Sequence, residues 1–81
     1  MKVTVKLFAS FRETTGKSES LVELEQGATI RQLWDNMVAM YPRLAPMGRI
    51  AAFAVNGHYT RSDVTLQDGD EVAFLPPVSG G

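Results

Sequence analysis

"TIRQLWDNMVAMYP", Thr29 to Pro42, is the segment that dictates how the rest of the chain must be arranged. Ile30, Leu33, Trp34, Met37, Val38 and Tyr41 recur at spacings of three and four, which places them on one stripe of an α-helix. Thr29 supplies the hydroxyl of an N-cap, and Gln32 stands three positions on, where a capping box has its second partner. Pro42 stops the helix, because the residue before a proline avoids the helical region. One amphipathic helix cannot bury its own stripe. It needs a sheet face to lie against.

The flanking segments supply strands. Before the helix, Val3, Val5 and Leu7 alternate with Lys2, Thr4 and Lys6, the period of a strand with one buried face. Phe8 falls on the polar side of that alternation. "ASFRETTG" (9–16) ends in glycine and has room for one short helical turn. A second strand follows at about 20–25, where Val22 and Leu24 alternate with Glu23 and Glu25 and Leu21 breaks the pattern. The short gap favours an antiparallel hairpin. After the helix, "PRLAPMG" (42–48) reads as a loop, and Ile50 to Val55 as a compact apolar strand. Asn56-Gly57 marks a hairpin turn, Tyr59 begins a short return strand, and Asp68-Gly69 marks a further turn before the last strand, Val72 to Leu75. The expected class is α+β: a mixed sheet on one main helix, the β-grasp arrangement, over residues 1–75, with 76–81 as a C-terminal tail.

Composition narrows the function. A chain of 81 residues fits one domain and hides about 60–65% of its unfolded surface, for which 44% hydrophobic residues suffice. It contains no cysteine, which removes disulfides, iron–sulfur ligation and a thiol nucleophile, and a single histidine cannot make a zinc site. No bound metal or cofactor is therefore expected. Eight Lys+Arg against nine Asp+Glu disfavour nucleic acid as a partner. No apolar run reaches the roughly 18 residues of a membrane span, so a cytoplasmic protein without a membrane partner is expected. His58 reads as an exposed turn residue, Asp68 as turn chemistry rather than a calcium ligand, and Gly57 and Gly69 are too isolated for a phosphate loop. No side chain has the look of a catalyst.

The ending, "DGDEVAFLPPVSGG" (68–81), has a different character. Pro76-Pro77 favours an extended, low-entropy form that carries the chain away from the sheet. From Pro76 to Gly81 the reach is roughly 20 Å. Gly80 and Gly81 lack side chains and can enter a slot closed to other residues. A frayed end or an added remnant is the plain alternative. The construction suits delivery of a C-terminal carboxylate into another protein's active site, with Pro76, Pro77, Ser79 and Gly80 threading and Gly81 reacting.

"LQDGDEVAFLPPVSGG" (66–81) resembles the end of the small subunits of molybdopterin synthase, a family of ubiquitin-like sulfur carriers. "VKLFASFRETTG" (5–16) and "AVNG" (54–57) resemble the same family at matching positions, and the likeness covers essentially the whole chain. It implies that an ATP-dependent activating enzyme adenylates Gly81, that a sulfur donor replaces the adenylate to leave a thiocarboxylate, and that this donates sulfur to a pterin precursor inside the large subunit. It implies as partners that activating enzyme and the large subunit, in a heterotetramer of two large and two small chains. Alternation puts Ala73 and Leu75 on the outer face of the last strand, and Phe8 becomes their neighbour if first and last strands pair. Tyr59 joins that patch and Arg12 anchors its rim, where the family contacts the large subunit. The alternative is that Phe8 closes one end of the core. Sulfur supply to thiamine or tRNA, or a non-covalent ubiquitin-like binding module with an idle tail, are the rival functions.

Overall fold

The structure is a computed structural model that describes residues 1–49 and 51–76. In chain order it has β1 (Lys2–Leu7), α1 (Ser10–Thr15), β2 (Glu19–Glu23), α2 (Ile30–Met40), a 3₁₀ helix (Pro42–Met47), β3 (Ala52–Val55), β4 (His58–Thr60) and β5 (Glu71–Leu75). The strands form one mixed sheet in the order β2-β1-β5-β3-β4. β1 and β2 make an antiparallel hairpin, β3 and β4 another, and β5 lies between them, parallel to β1 and antiparallel to β3. This is the expected β-grasp arrangement.

Helix α2 begins where its capping box dictates. Thr29 Oγ1 accepts from Gln32 N at 3.2 Å, and Gln32 Oε1 accepts from Thr29 N at 2.8 Å. Its next two amides have partners outside the helix: Ile30 N donates to Val64 O and Arg31 N to Ser62 O. The connection from β4 to β5 thus satisfies donors that a helix start otherwise leaves open. Ile30, Leu33, Trp34 and Met37 are buried against the sheet, and Val38 and Tyr41 half-buried beside them.

Opposite them, Val3, Val5 and Leu7 of β1 and Val72 and Phe74 of β5 face inward. Phe11 drops from α1 into the same core, where it meets Trp34 and Phe74 edge to face, with centroids 6.1 and 6.2 Å apart. Trp34 also meets Phe74 at 5.2 Å and Phe53 at 6.0 Å. Each such pair adds about 0.5–1.5 kcal/mol beyond the area it buries. These four rings fix α1, α2, β3 and β5 to one another.

Two elements differ from the sequence expectation. The 42–48 segment is a 3₁₀ helix rather than a loop. Pro42 at its start needs no donor, Leu44 N donates to Tyr41 O and Gly48 N to Ala45 O, and Leu44 is fully buried. Strand β2 ends at Glu23, two residues early, although Leu24 stays buried and its amide donates to Met1 O at 2.7 Å. Ile50, expected to open the third strand, lies outside the described residues.

Candidate functional site

Strand β5 sits in the middle of the sheet, so its outward residues have neighbours on both sides. Val72 and Phe74 are buried within, and Ala73 and Leu75 therefore face out. The register pairs Ala73 with Lys6 of β1 and with Ala54 of β3, and Ala54 in turn with Tyr59 of β4. Lys6, Ala73, Ala54 and Tyr59 consequently form one outward row across four strands. In the next row Leu75 pairs with Ala52, and Phe8 directly follows Leu7, the last β1 residue in register with β5.

The centre of this face is a floor of three alanines, Ala52, Ala54 and Ala73. Ala54 points outward yet is only 7% exposed. Phe8, 45% exposed, and Tyr59, 72% exposed, stand on opposite sides of the floor. Tyr59 is two strand spacings from Ala73, about 10 Å. Large apolar side chains around a shallow apolar floor are the makings of a docking surface rather than of a reaction chamber.

Phe8 owes its position to the backbone after it. Ala9 adopts φ 48° and ψ −120°, which turns the chain out of β1 into α1, and Phe8 O accepts from Phe11 N at 3.0 Å. Phe11 takes the core position and leaves Phe8 outside, so Phe8 belongs to the exposed face and does not close the core. Arg12 is exposed on α1, at the end of the sheet where β5 finishes. Among the described residues it forms no ion pair.

The register brings Ala73 and Leu75 onto one outward face, with Phe8 exposed at the end of β1 and Tyr59 across the alanine floor. Sequence reasoning missed Ala52 and Ala54. The signal was present in "AAFAV" (51–55), where small residues alternate with Phe53 and Val55, but an all-apolar run reads as buried on both faces. His58 is exposed, as expected, and is the first residue of β4. Pro76, half-buried, follows Leu75 at the root of the tail. Pro77, Ser79, Gly80 and Gly81 lie outside the described residues. Among the described residues no helix is long and apolar enough to cross a membrane.

Known proteins share this architecture. The ThiS family matches residues 5–81. The chain is similar to the molybdopterin synthase sulfur carrier subunit of Chlamydomonas reinhardtii, at 40% identity over 83 residues and the full length of both chains. It is similar to that of Escherichia coli strain K12, at 39% identity over 82 residues, covering 98% of this chain and 99% of the other. Among solved structures it is similar to a Pyrococcus furiosus protein proposed as subunit 1 of molybdopterin converting factor, with a TM-score of 0.87 and 35% identity over 95% of this chain and 98% of that one. With likeness over its whole length and the same fold, the chain belongs to the ThiS family, alongside the molybdopterin synthase sulfur carrier subunits.

Proposed function

We propose that this chain is the sulfur carrier subunit of a molybdopterin synthase, and that its reactive group is the α-carboxyl of Gly81. The carrying observation is the family match, which spans residues 5–81 and so includes Gly81. A free carboxylate has a pKa of about 3.5, is ionised at neutral pH and resists attack. An activating enzyme overcomes this with ATP: the carboxylate displaces pyrophosphate and becomes an acyl-adenylate. Sulfur from a donor then takes the place of AMP, leaving a thiocarboxylate. The soft, polarisable sulfur attacks the pterin precursor within the large subunit, forming a C–S bond and joining Gly81 to it as an acyl thioester. Water then cleaves the C(O)–S bond, leaving the sulfur on the pterin and returning Gly81 as a carboxylate. A dithiolene holds two sulfurs, so two loaded carriers serve each product. ATP is bound by the activating enzyme and not by this chain, which carries no cofactor of its own.

The apolar face around Ala73 gives the large subunit its docking surface, with Phe8, Leu75 and Tyr59 as contacts and Arg12 at the rim. Pro76 and Pro77 aim the tail, and Ser79 and Gly80 pass through the partner's channel. Two large and two small chains make the assembly, in the cytoplasm. The test is intact mass after incubation with ATP, a sulfur donor and the activating enzyme. The expected gain is one oxygen exchanged for one sulfur, confined to the last peptide. Sulfur found on a side chain, or full cofactor assembly by a variant with one untrimmable residue added after Gly81, overturns the reading.

A further inference from the structure

The sheet has a second surface, on the far side of β1 from β5. Strand β2 is an edge: it pairs with β1 and no other strand among the described residues. An edge strand presents a row of backbone donors and acceptors ready for another strand. Val22 turns inward, whereas Glu19, Leu21 and Glu23 are exposed on one face, Leu21 by 66%. Met40, at the end of α2, is 53% exposed, and a cleft of about 370 Å³ opens between it, Leu21, Val22 and Ala39. The cleft continues into a second one of about 480 Å³, the two sharing Glu23 and Asn36 as walls. The second part is acidic, lined by Glu23, Glu25 and Asp35. Asp35 has Arg31 at 3.7 Å, but neither Glu23 nor Glu25 has an ion-pair partner among the described residues. Residues 18–30 contain no Lys or Arg.

These features select the occupant. A second copy of this chain, paired antiparallel about Leu21, would set Glu19 of each copy directly opposite Glu23 of the other, and like charges so placed destabilise a sheet. Glu19 already has Lys6 at 3.8 Å, whereas Glu23, with no ion-pair partner among the described residues, is left to attract a cation. We propose that the free edge of β2 and the cleft beside α2 bind an extended segment of another protein as an added strand, with an apolar residue opposite Leu21 and Lys or Arg opposite Glu23 and Glu25. Backbone hydrogen bonds along β2 supply the affinity, and the alternating apolar and acidic positions supply the selectivity. The edge of β2 is separated from β5 by β1, about 10 Å at strand spacing, with Glu19 reaching back to Lys6 of the β5 row at 3.8 Å, and binding along the edge needs no sulfur on Gly81.

An NMR titration of the full 15N-labelled chain tests this with the capped peptide Lys-Thr-Lys-Val-Ile-Val. In antiparallel register its lysines stand opposite Glu25 and Glu23 and its isoleucine opposite Leu21. Shifts are expected in 20–24 and 39–40. Leu21→Asp and Glu23→Lys, both exposed and remote from the core, should each weaken binding roughly tenfold, and so should exchange of the peptide's lysines for glutamates. Equal binding of the glutamate peptide, shifts mapping to the β5 face, or none at millimolar peptide overturns the proposal. So do concentration-dependent shifts of β2 without peptide, which would assign the edge to a second copy.

Discussion

Asn56 and Asp70 join the two turns that flank β5's entry into the sheet. Asn56 Nδ2 donates to Asp70 Oδ1 at 3.0 Å, and Asn56 Oδ1 accepts from Glu71 N at 3.0 Å. The other carboxylate oxygen of Asp70 accepts from Gln67 N at 2.8 Å. Asn56 also holds φ 50°, a left-handed conformation that asparagine tolerates better than most residues.

Asn56→Ala removes two hydrogen bonds and strains that turn. A loss of about 2 kcal/mol is expected, or a fall in Tm of roughly 10 °C followed by circular dichroism. Asn56→Gly relieves the backbone but not the lost bonds, and should recover only part.

Gly48 sits in ordinary helical geometry, φ −63° and ψ −28°, where replacing glycine by alanine normally stabilises by about 0.4–1 kcal/mol. Here a Cβ would meet Trp34 Nε1 at 3.0 Å. Trp34 is held by Phe11, Phe53 and Phe74, all edge to face with it. Overpacking costs about 1–3 kcal/mol and outweighs the entropic gain. Gly48→Ala should therefore destabilise by about 1 kcal/mol and alter the emission of the chain's single tryptophan. Unchanged emission and a raised Tm would show that the indole yields.

Ala9 presents the opposite case. Its φ of 48° with ψ −120° is a conformation that glycine adopts freely and alanine does not. Such strain costs about 1–3 kcal/mol, more than the roughly 0.4–1 kcal/mol that glycine loses in the unfolded chain. Ala9→Gly should stabilise by about 1 kcal/mol and raise Tm by roughly 4–8 °C in thermal melts.

Phe8 and Leu75 flank the root of the tail on the outward face. Phe8→Asp and Leu75→Asp should each leave the fold's circular dichroism intact and reduce capture by the large subunit at least about tenfold, a loss of 1.4 kcal/mol or more. Titration calorimetry with the purified large subunit gives the measurement. Unchanged affinity in both variants would remove this face from the interface.

The parts legible in the sequence were those set by local chemistry. Thr29 and Gln32 announced the helix start, Asn56-Gly57 and Asp68-Gly69 the turns, and the alternation in 2–7 the buried face of β1. What escaped depends on partners distant in sequence. Ala52 and Ala54 become a floor only because β5 aligns Ala73 and Leu75 with them. The 3₁₀ helix hid behind Pro42 and Pro46, which break α-helices but are tolerated in the short i→i+3 turns that bury Leu44. Leu21 broke its strand's pattern, and the structure shows why: it is the apolar member of an otherwise acidic exposed rim.

Among the described residues the two hairpins of the sheet meet only through β5, whose register with β1 spans residues as far apart as Thr4 and Glu71. A pull applied beyond Pro76 is thus resisted in shear by hydrogen-bonded ladders on both sides, instead of peeling a rim strand one bond at a time. Releasing β5 would split the sheet, so its amides should exchange with deuterium only through global opening. Load entering the sheet at the end of β5 is therefore spread over both of its neighbours at once.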